Sequence, residues 1–297
     1  MATAAAIPGF DDAIAQVNGQ SIAFSRAGEG PPLLLLHGFP QTRAMWRGLA
    51  PALARHFTVI AADLRGYGDS SKPEGVESYS FRNMAADQLA LMRSLGFDRF
   101  HLAGHDRGAR TAHRLALDAP AAVASLTLMD IVPTHLLLDE LPREVAAAYY
   151  HWFFLAQPAP FPETLIGHDP DYYYERCLTS WGTAALEAFD PQALAAYRIS
   201  WRRPETIRAM CDDYRAALEL DFAADAADLD RRVPCPALVL YGRDGLMARA
   251  YDVGATWAER LERMETRAMP GGHFFPDLET EETTQALLEF LTRQPAL

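Results

Sequence analysis

Short unbroken apolar runs alternate with longer amphipathic stretches through the first part of the chain. Leu33-Leu34-Leu35-Leu36 follows Pro31-Pro32 and ends in His37-Gly38-Phe39-Pro40, a turn. Phe57 to Ala62 ends in the glycine-punctuated loop Asp63-Leu64-Arg65-Gly66-Tyr67-Gly68. Runs of this kind suit strands buried on both faces of a parallel sheet. Ser21 to Arg26 alternates as a strand does, with a turn at Ala27-Gly28-Glu29-Gly30. Trp46 to His56 reads as helix. So does Ser80 to Leu95, with Phe81, Met84, Leu89, Leu91, Met92 and Leu95 as its apolar positions. A further strand ends at Ala103, a helix covers Thr111 to Leu117, and Ser125 to Met129 is a strand closing at Asp130.

The alternation then stops. From about Thr134 to about Asp225 the pattern is helical or loop-like, dense in aromatics and interrupted by Pro158, Pro160 and Pro162. Strand character returns at Ala237 to Tyr241 and, more weakly, at Glu265 to Met269, before a closing helix over Glu281 to Leu291. Strands alternating with helices predict an α/β fold, with a mostly parallel sheet and right-handed crossovers. The expected organisation is a core domain of residues 1–133 and 226–297, with residues 134–225 inserted as a helical cap. Ligands of open α/β sheets sit at the carboxyl ends of the strands. Asp106, Asp130 and His273 all follow strands at that edge.

Gly104-His105-Asp106-Arg107-Gly108, between a strand and a helix, has the form of a nucleophile elbow with Asp in the middle position. A carboxylate there attacks carbon directly and forms an ester with the protein. A plain helix N-cap is the other use of Asp at such a place. His273, after Gly271-Gly272 and before Phe274-Phe275, is the candidate base. His37, His101 and His105 read as structural. Asp130, flanked by Met129 and Ile131, and Asp244, in Tyr241-Gly242-Arg243-Asp244-Gly245, are the two candidates for the acid that orients His273. A carboxylate among apolar neighbours needs a partner, which favours Asp130. The chain order nucleophile, acid, histidine is that of α/β-hydrolases.

Arg107 and Arg110 share one helix face at its positive end and need an anion to balance them. Asp106 is one candidate, surface salt bridges are another, and a substrate carboxylate held in a guanidinium fork is a third. His151, Trp152 and Tyr214 can each donate from an otherwise apolar cap wall, or simply pack as aromatics.

With 27 basic against 39 acidic residues, the chain of 297 carries a net charge of −12, which argues against nucleic acid or an anionic membrane as partner. Cys177, Cys211 and Cys235 lie far apart and fit no metal-ligand spacing, so they are expected as reduced thiols of a cytoplasmic protein. The first residues lack the basic start and apolar core of a signal peptide, and their alanine-rich stretch reads as a frayed end. No run approaches the roughly 18 apolar residues of a membrane span.

The chain closely resembles the haloacetate dehalogenases of the α/β-hydrolase superfamily, over essentially its whole length. The likeness rests on His37-Gly38-Phe39-Pro40-Gln41-Thr42, Gly104 to Arg110, Tyr150-His151-Trp152, Leu155 to Pro160, Cys211-Asp212-Asp213-Tyr214-Arg215 and Gly272-His273-Phe274. The resemblance implies Asp106 as nucleophile, His273 as base and Asp130 as its acid. It implies Arg107 and Arg110 as carboxylate ligands and His151, Trp152 and Tyr214 as halide ligands. Backbone N–H groups of Phe39 and Arg107 would hold the oxyanion. It implies a small haloacid as substrate, no cofactor or metal, and a homodimer. An epoxide hydrolase would share Asp106, His273 and the cap, but the related enzymes have Trp after the nucleophile where Arg107 stands, and an arginine pair suits a neutral substrate badly. A non-catalytic binding protein on the same fold is the remaining alternative.

Overall fold

The computed structural model describes residues 6–181, 184–295 and 297, so most of the alanine-rich start lies outside the described residues. Eight strands form one sheet: β1 Asp11–Val17, β2 Gln20–Ala27, β3 Pro32–Leu36, β4 Thr58–Ala62, β5 Phe100–His105, β6 Val123–Met129, β7 Val233–Gly242 and β8 Leu261–Met269. Their order is β1-β2-β4-β3-β5-β6-β7-β8. All pairings from β4 across to β8 are parallel, while β1 and β2 join as an antiparallel hairpin that pairs antiparallel with β4. β3, β4, β5 and β6 are buried along their whole length, as the unbroken apolar run of β3 requires, and β5 and β6 bury His101, His105, Ser125 and Thr127 as well.

The chain winds outward from β3 to β4 on one side and from β5 onward on the other, so β3 and β5 flank the point where the winding reverses. Crevices at such points are where open α/β sheets bind ligands. The register aligns the ends: Leu36 opposes Gly104, His105 opposes Met129, Met129 opposes Leu240, and Gly242 opposes Met269. Phe39, Asp106, Asp130, Gly242 and His273 therefore follow neighbouring strands at one sheet edge.

Helix α1 (Phe81–Ser94) is capped by the Ser80 hydroxyl, which accepts from the Asn83 N–H at 3.3 Å. Helix α2 (Arg107–Asp118) follows β5 and is buried from Arg107 through Leu117, polar residues included. Every described regular element from Thr134 to Ala227 is helical. Two of these matter below: α3 (His151–Leu155) and α4 (Pro204–Ala216), which continues through a wider π-helical turn, Ala217–Asp221.

The expected helix over Trp46 to His56 is instead a 3₁₀ segment, Arg43–Gly48, and one short turn, Ala50–Leu53. Pro51 starts that turn and has no N–H to continue a longer helix. β1 was not anticipated, since it is an exposed edge strand with no buried residue to mark it. No helix among the described residues is long and apolar enough to cross a membrane.

Candidate active site

Asp106 sits between β5 and α2 with φ +46° and ψ −114°. That conformation costs a non-glycine residue on the order of 1–3 kcal/mol, and surrounding contacts must enforce it. The flanking glycines allow the packing that does so. A Cβ on Gly108 would lie 2.3 Å from the Leu36 carbonyl oxygen, and one on Gly104 would lie 2.4 Å from that of Gly108. The Asp106 N–H donates to the Met129 carbonyl at 3.2 Å, and the Arg110 N–H donates to the Asp106 carbonyl at 3.0 Å.

The carboxylate makes no capping bond to α2. Oδ2 instead accepts from the Phe39 N–H at 3.0 Å. Burial alone would push this carboxyl up, but His273, His105, Arg107 and Arg110 outweigh it and hold it at about 2. Asp106 is thus buried and ionised, with one oxygen engaged by the loop after β3.

His273 Nδ1 donates to Asp130 Oδ2 at 2.7 Å, while Asp130 Oδ1 accepts from the Gly242 N–H at 2.8 Å. With Nδ1 as donor, Nε2 is the basic atom of the ring. Asp244 is exposed on the loop beyond β7, and its backbone, not its carboxylate, carries its hydrogen bonds to Gly271 and Arg249. Between the two candidates, the partner of His273 is Asp130. His105 braces the same loop: its Nε2 lies 2.8 Å from the His273 carbonyl, and the two rings are 4.6 Å apart. Burial lowers His105 to about 4, so it is a neutral donor there. His37 accepts from the Leu64 N–H at 3.1 Å and His101 pairs with Ser125 at 2.8 Å, both structural contacts.

The two arginines differ. Arg107 is fully buried, and its Nε donates to Asp213 Oδ2 at 2.9 Å, with a second, closer bond from Nη2 to Asp213 Oδ1. Burial would lower its pKa, but Asp213 raises it above the ordinary arginine value. The Tyr67 hydroxyl also donates to Asp213, at 2.6 Å. The balancing anion is therefore a carboxylate of α4 that sequence reasoning missed. Asp213 stands next to Tyr214 in the motif shared with the resembled family, but only the fold brings it to Arg107. Arg107 Nη1 has no hydrogen-bond partner among the described residues.

Arg110 is also buried, but its protein partners are uncharged: Nη1 donates to the Val132 carbonyl at 3.1 Å and to the Thr134 hydroxyl at 3.0 Å. Burial lowers it to about 10, against the pull of Asp106. Both guanidinium groups lie over the Trp152 ring, at 5.1 and 4.9 Å.

Residues of the helical region, Thr134 to Ala227, close around this group. Tyr214 stacks edge-on against Trp152 at 5.2 Å and against Phe39 at 5.1 Å. His151 stacks parallel to Phe39 at 5.7 Å and against Trp181 at 4.1 Å. The Tyr214 hydroxyl and His151 Nδ1 are buried with no hydrogen-bond partner among the described residues. Burial holds His151 neutral and keeps the Tyr214 hydroxyl protonated. Tyr149 and Trp181, not singled out beforehand, wall in His273. The Trp181 carbonyl accepts the His273 N–H at 3.1 Å, and the Tyr149 hydroxyl lies 3.5 Å from Nδ1. No group of His, Cys, Asp and Glu among the described residues forms a metal site, and all three cysteines are free and buried.

Residues 31–280 match the family model described as the alpha/beta hydrolase fold. The chain is 52% identical to a fluoroacetate dehalogenase of Burkholderia sp., over 96% of this chain and 94% of that protein. It is 33% identical to a soluble epoxide hydrolase of Corynebacterium sp. (strain C12), over 93% and 95% of the two chains. Among solved structures, an alpha/beta hydrolase from Nostoc sp. PCC 7120 is 50% identical, with a TM-score of 0.94 over 96% of this chain and 99% of the other. The chain belongs to the α/β-hydrolase superfamily and, within it, to the haloacetate dehalogenase family.

Proposed function

We propose that this protein hydrolyses the carbon–halogen bond of haloacetates, giving glycolate and halide through an ester on Asp106. The observation that carries the proposal is the buried Arg110, one helical turn from an ionised carboxylate and bonded only to uncharged protein groups. Two carboxylates repel, so a carboxylate nucleophile meets an anionic substrate only where a cation offsets them both. Arg107 is already balanced by Asp213, which leaves Arg110 as the main cation for the substrate and Arg107 Nη1 as a further donor.

With Asp106 Oδ2 engaged by Phe39, Oδ1 attacks the α-carbon in line as halide departs toward the His151, Trp152 and Tyr214 wall. Fluoride has the greatest need of such donors. The ester removes the charge of Asp106. His273, oriented by Asp130, then takes a proton from water through Nε2, and the hydroxide attacks Cγ of Asp106. The oxyanion forms at Oδ2, where the Phe39 N–H already sits, with the Arg107 N–H as second donor. Collapse expels glycolate, whose hydroxyl oxygen takes the proton from His273, and restores Asp106. In this reading residues 134–225 act as a cap on the core of 1–133 and 226–297, and the working species is a cytoplasmic homodimer.

The test is halide release from fluoroacetate and chloroacetate alongside turnover of a styrene-type epoxide. Haloacetate turnover is expected. Turnover of the epoxide alone would mean that the site belongs with the more distant relative.

A further inference from the structure

A small cavity of about 10 Å³ lies against Arg110, His113 and Arg114 of α2, Thr134, and Asp221 and Asp225 of the helical region. That is about the space one water needs. Four of these residues carry a buried polar atom without a hydrogen-bond partner among the described residues: Arg110 Nε, His113 Nε2, Arg114 Nε and Asp221 Oδ2. Asp221 ends the π-helical turn after α4, and its other oxygen accepts from the Phe81 N–H at 2.9 Å. Wide turns of this kind recur at functional positions because they displace one residue from the regular helix face.

Buried polar groups are rarely left unmet, and a polar cavity of water size is where an internal water satisfies them. A water accepts two hydrogen bonds and donates two. Here it would accept from the Nε–H groups of Arg110 and Arg114, donate to Asp221 Oδ2, and offer its second proton to the His113 ring, which burial keeps neutral. We propose that this cavity holds one ordered water tying Arg110 Nε to Asp221 Oδ2, and that Asp221 is thereby a positioning residue for Arg110. The role assigned to Asp221 rests on reading Arg110 as the ligand of the substrate carboxylate; the water does not.

A consequence follows for pH. Burial pushes the Asp221 carboxyl up to about 7, with Asp213 adding to it and Arg107, the Phe81 N–H and Arg114 opposing. Arg110 and His113 on α2, Asp225 beyond the π turn and Arg82 on α1 are the other charged or titratable groups around it. Once ionised, Asp221 adds negative charge behind Arg110, and a substrate carboxylate then meets a weaker field. KM for a haloacetate should rise several-fold as pH rises through this range, with kcat not following this group.

A high-resolution crystal structure of the wild-type protein tests the water directly. The expected result is a water within hydrogen-bond distance of both Arg110 Nε and Asp221 Oδ2, and a dry cavity overturns the proposal. The kinetic arm compares wild type with Asp221→Asn, which cannot ionise, between about pH 6 and 9. The variant should hold KM flat within about two-fold while wild type rises, with kcat alike in both. Parallel profiles, or a loss in kcat alone, overturn the positioning role. If Asp221→Asn does not fold, a flat wild-type KM profile does the same. Absence of any haloacetate turnover by wild type would sink the functional reading instead, and the crystallographic water would still decide this one.

Discussion

At the strand ends, the side chains of Asp106, His273 and Asp130 are each held by a protein partner. Asp106 Oδ2 has Phe39, His273 Nδ1 has Asp130, and Asp130 has Gly242 as well. On the helical side the reverse holds: the Tyr214 hydroxyl and His151 Nδ1 are buried and unmatched, beside an arginine with only neutral protein partners. The sheet half is finished machinery, held by strained turns at Asp106 and Asp130, both at positive φ. The helical half is complementary to something not part of the chain. Arg107 and Arg110 show the same contrast one turn apart, since the first is tied across to α4 by Asp213 and the second is not. A site of this form has its chemistry preset and its specificity on the side facing the ligand.

Breaking the preset half should have the largest effect. Asp106→Asn is expected to lower kcat by about 10⁴ or more, because no other group replaces the nucleophile. His273→Asn should release one equivalent of halide and then stop, with the ester trapped; rapid-quench halide assay and intact-protein mass spectrometry read both outcomes. Steady turnover by either variant would mean that the strand ends are not the seat of the reaction.

Breaking the unmatched half should act mainly on binding and on the halide. Arg110→Leu should raise KM by about 100-fold, which corresponds to about 2.8 kcal/mol at 1.4 kcal/mol per tenfold. That magnitude suits a charge-assisted pair, and steady-state kinetics over a wide concentration range measures it. Tyr214→Phe removes one of the donors proposed for the halide. It should cost fluoroacetate about tenfold more than chloroacetate in kcat, because the leaving fluoride depends more on hydrogen bonding. Equal losses on both substrates would place Tyr214 outside the halide site.

Most of this contrast could be read in the chain, and the limit is instructive. β3 and β4 announced themselves because burial on both faces demands nearly continuous apolar runs. Asp106, His273 and the arginine pair were marked by glycines, strand ends and helical spacing. β1 was illegible because an exposed edge strand needs no such pattern. Asp213, Tyr149 and Trp181 were illegible as site residues because only the tertiary fold brings them to Arg107 and His273. Between Asp130 and Asp244, the apolar neighbours of Asp130 favoured it, but residue type and turn context gave no contact with His273. The structure separates them by burial and by one 2.7 Å hydrogen bond.

The smallest predicted effect concerns a link between the two halves. Asp277, four residues after His273, accepts from Gln41 at 2.8 Å and from Tyr197, on a helix of the region between β6 and β7, at 2.7 Å. Burial pushes its carboxyl up to about 7, from an ordinary value of 3.8. A folded-state value above the unfolded one gives stability that is whole at low pH and lost as pH rises through the folded value. Wild type should lose about 2 °C or more of melting temperature from this group across that rise, and Asp277→Asn should lose less. Thermal unfolding of both proteins at matched ionic strength measures the difference.

The central claim is that the oxygen which displaces halide belongs to Asp106. A single turnover in ¹⁸O-labelled water, with enzyme in excess over fluoroacetate or chloroacetate, tests it most directly. Attack by Asp106 gives unlabelled glycolate and one labelled oxygen in the peptide that carries Asp106. Labelled glycolate with an unlabelled Asp106 would contradict it, because water would then have attacked the carbon itself.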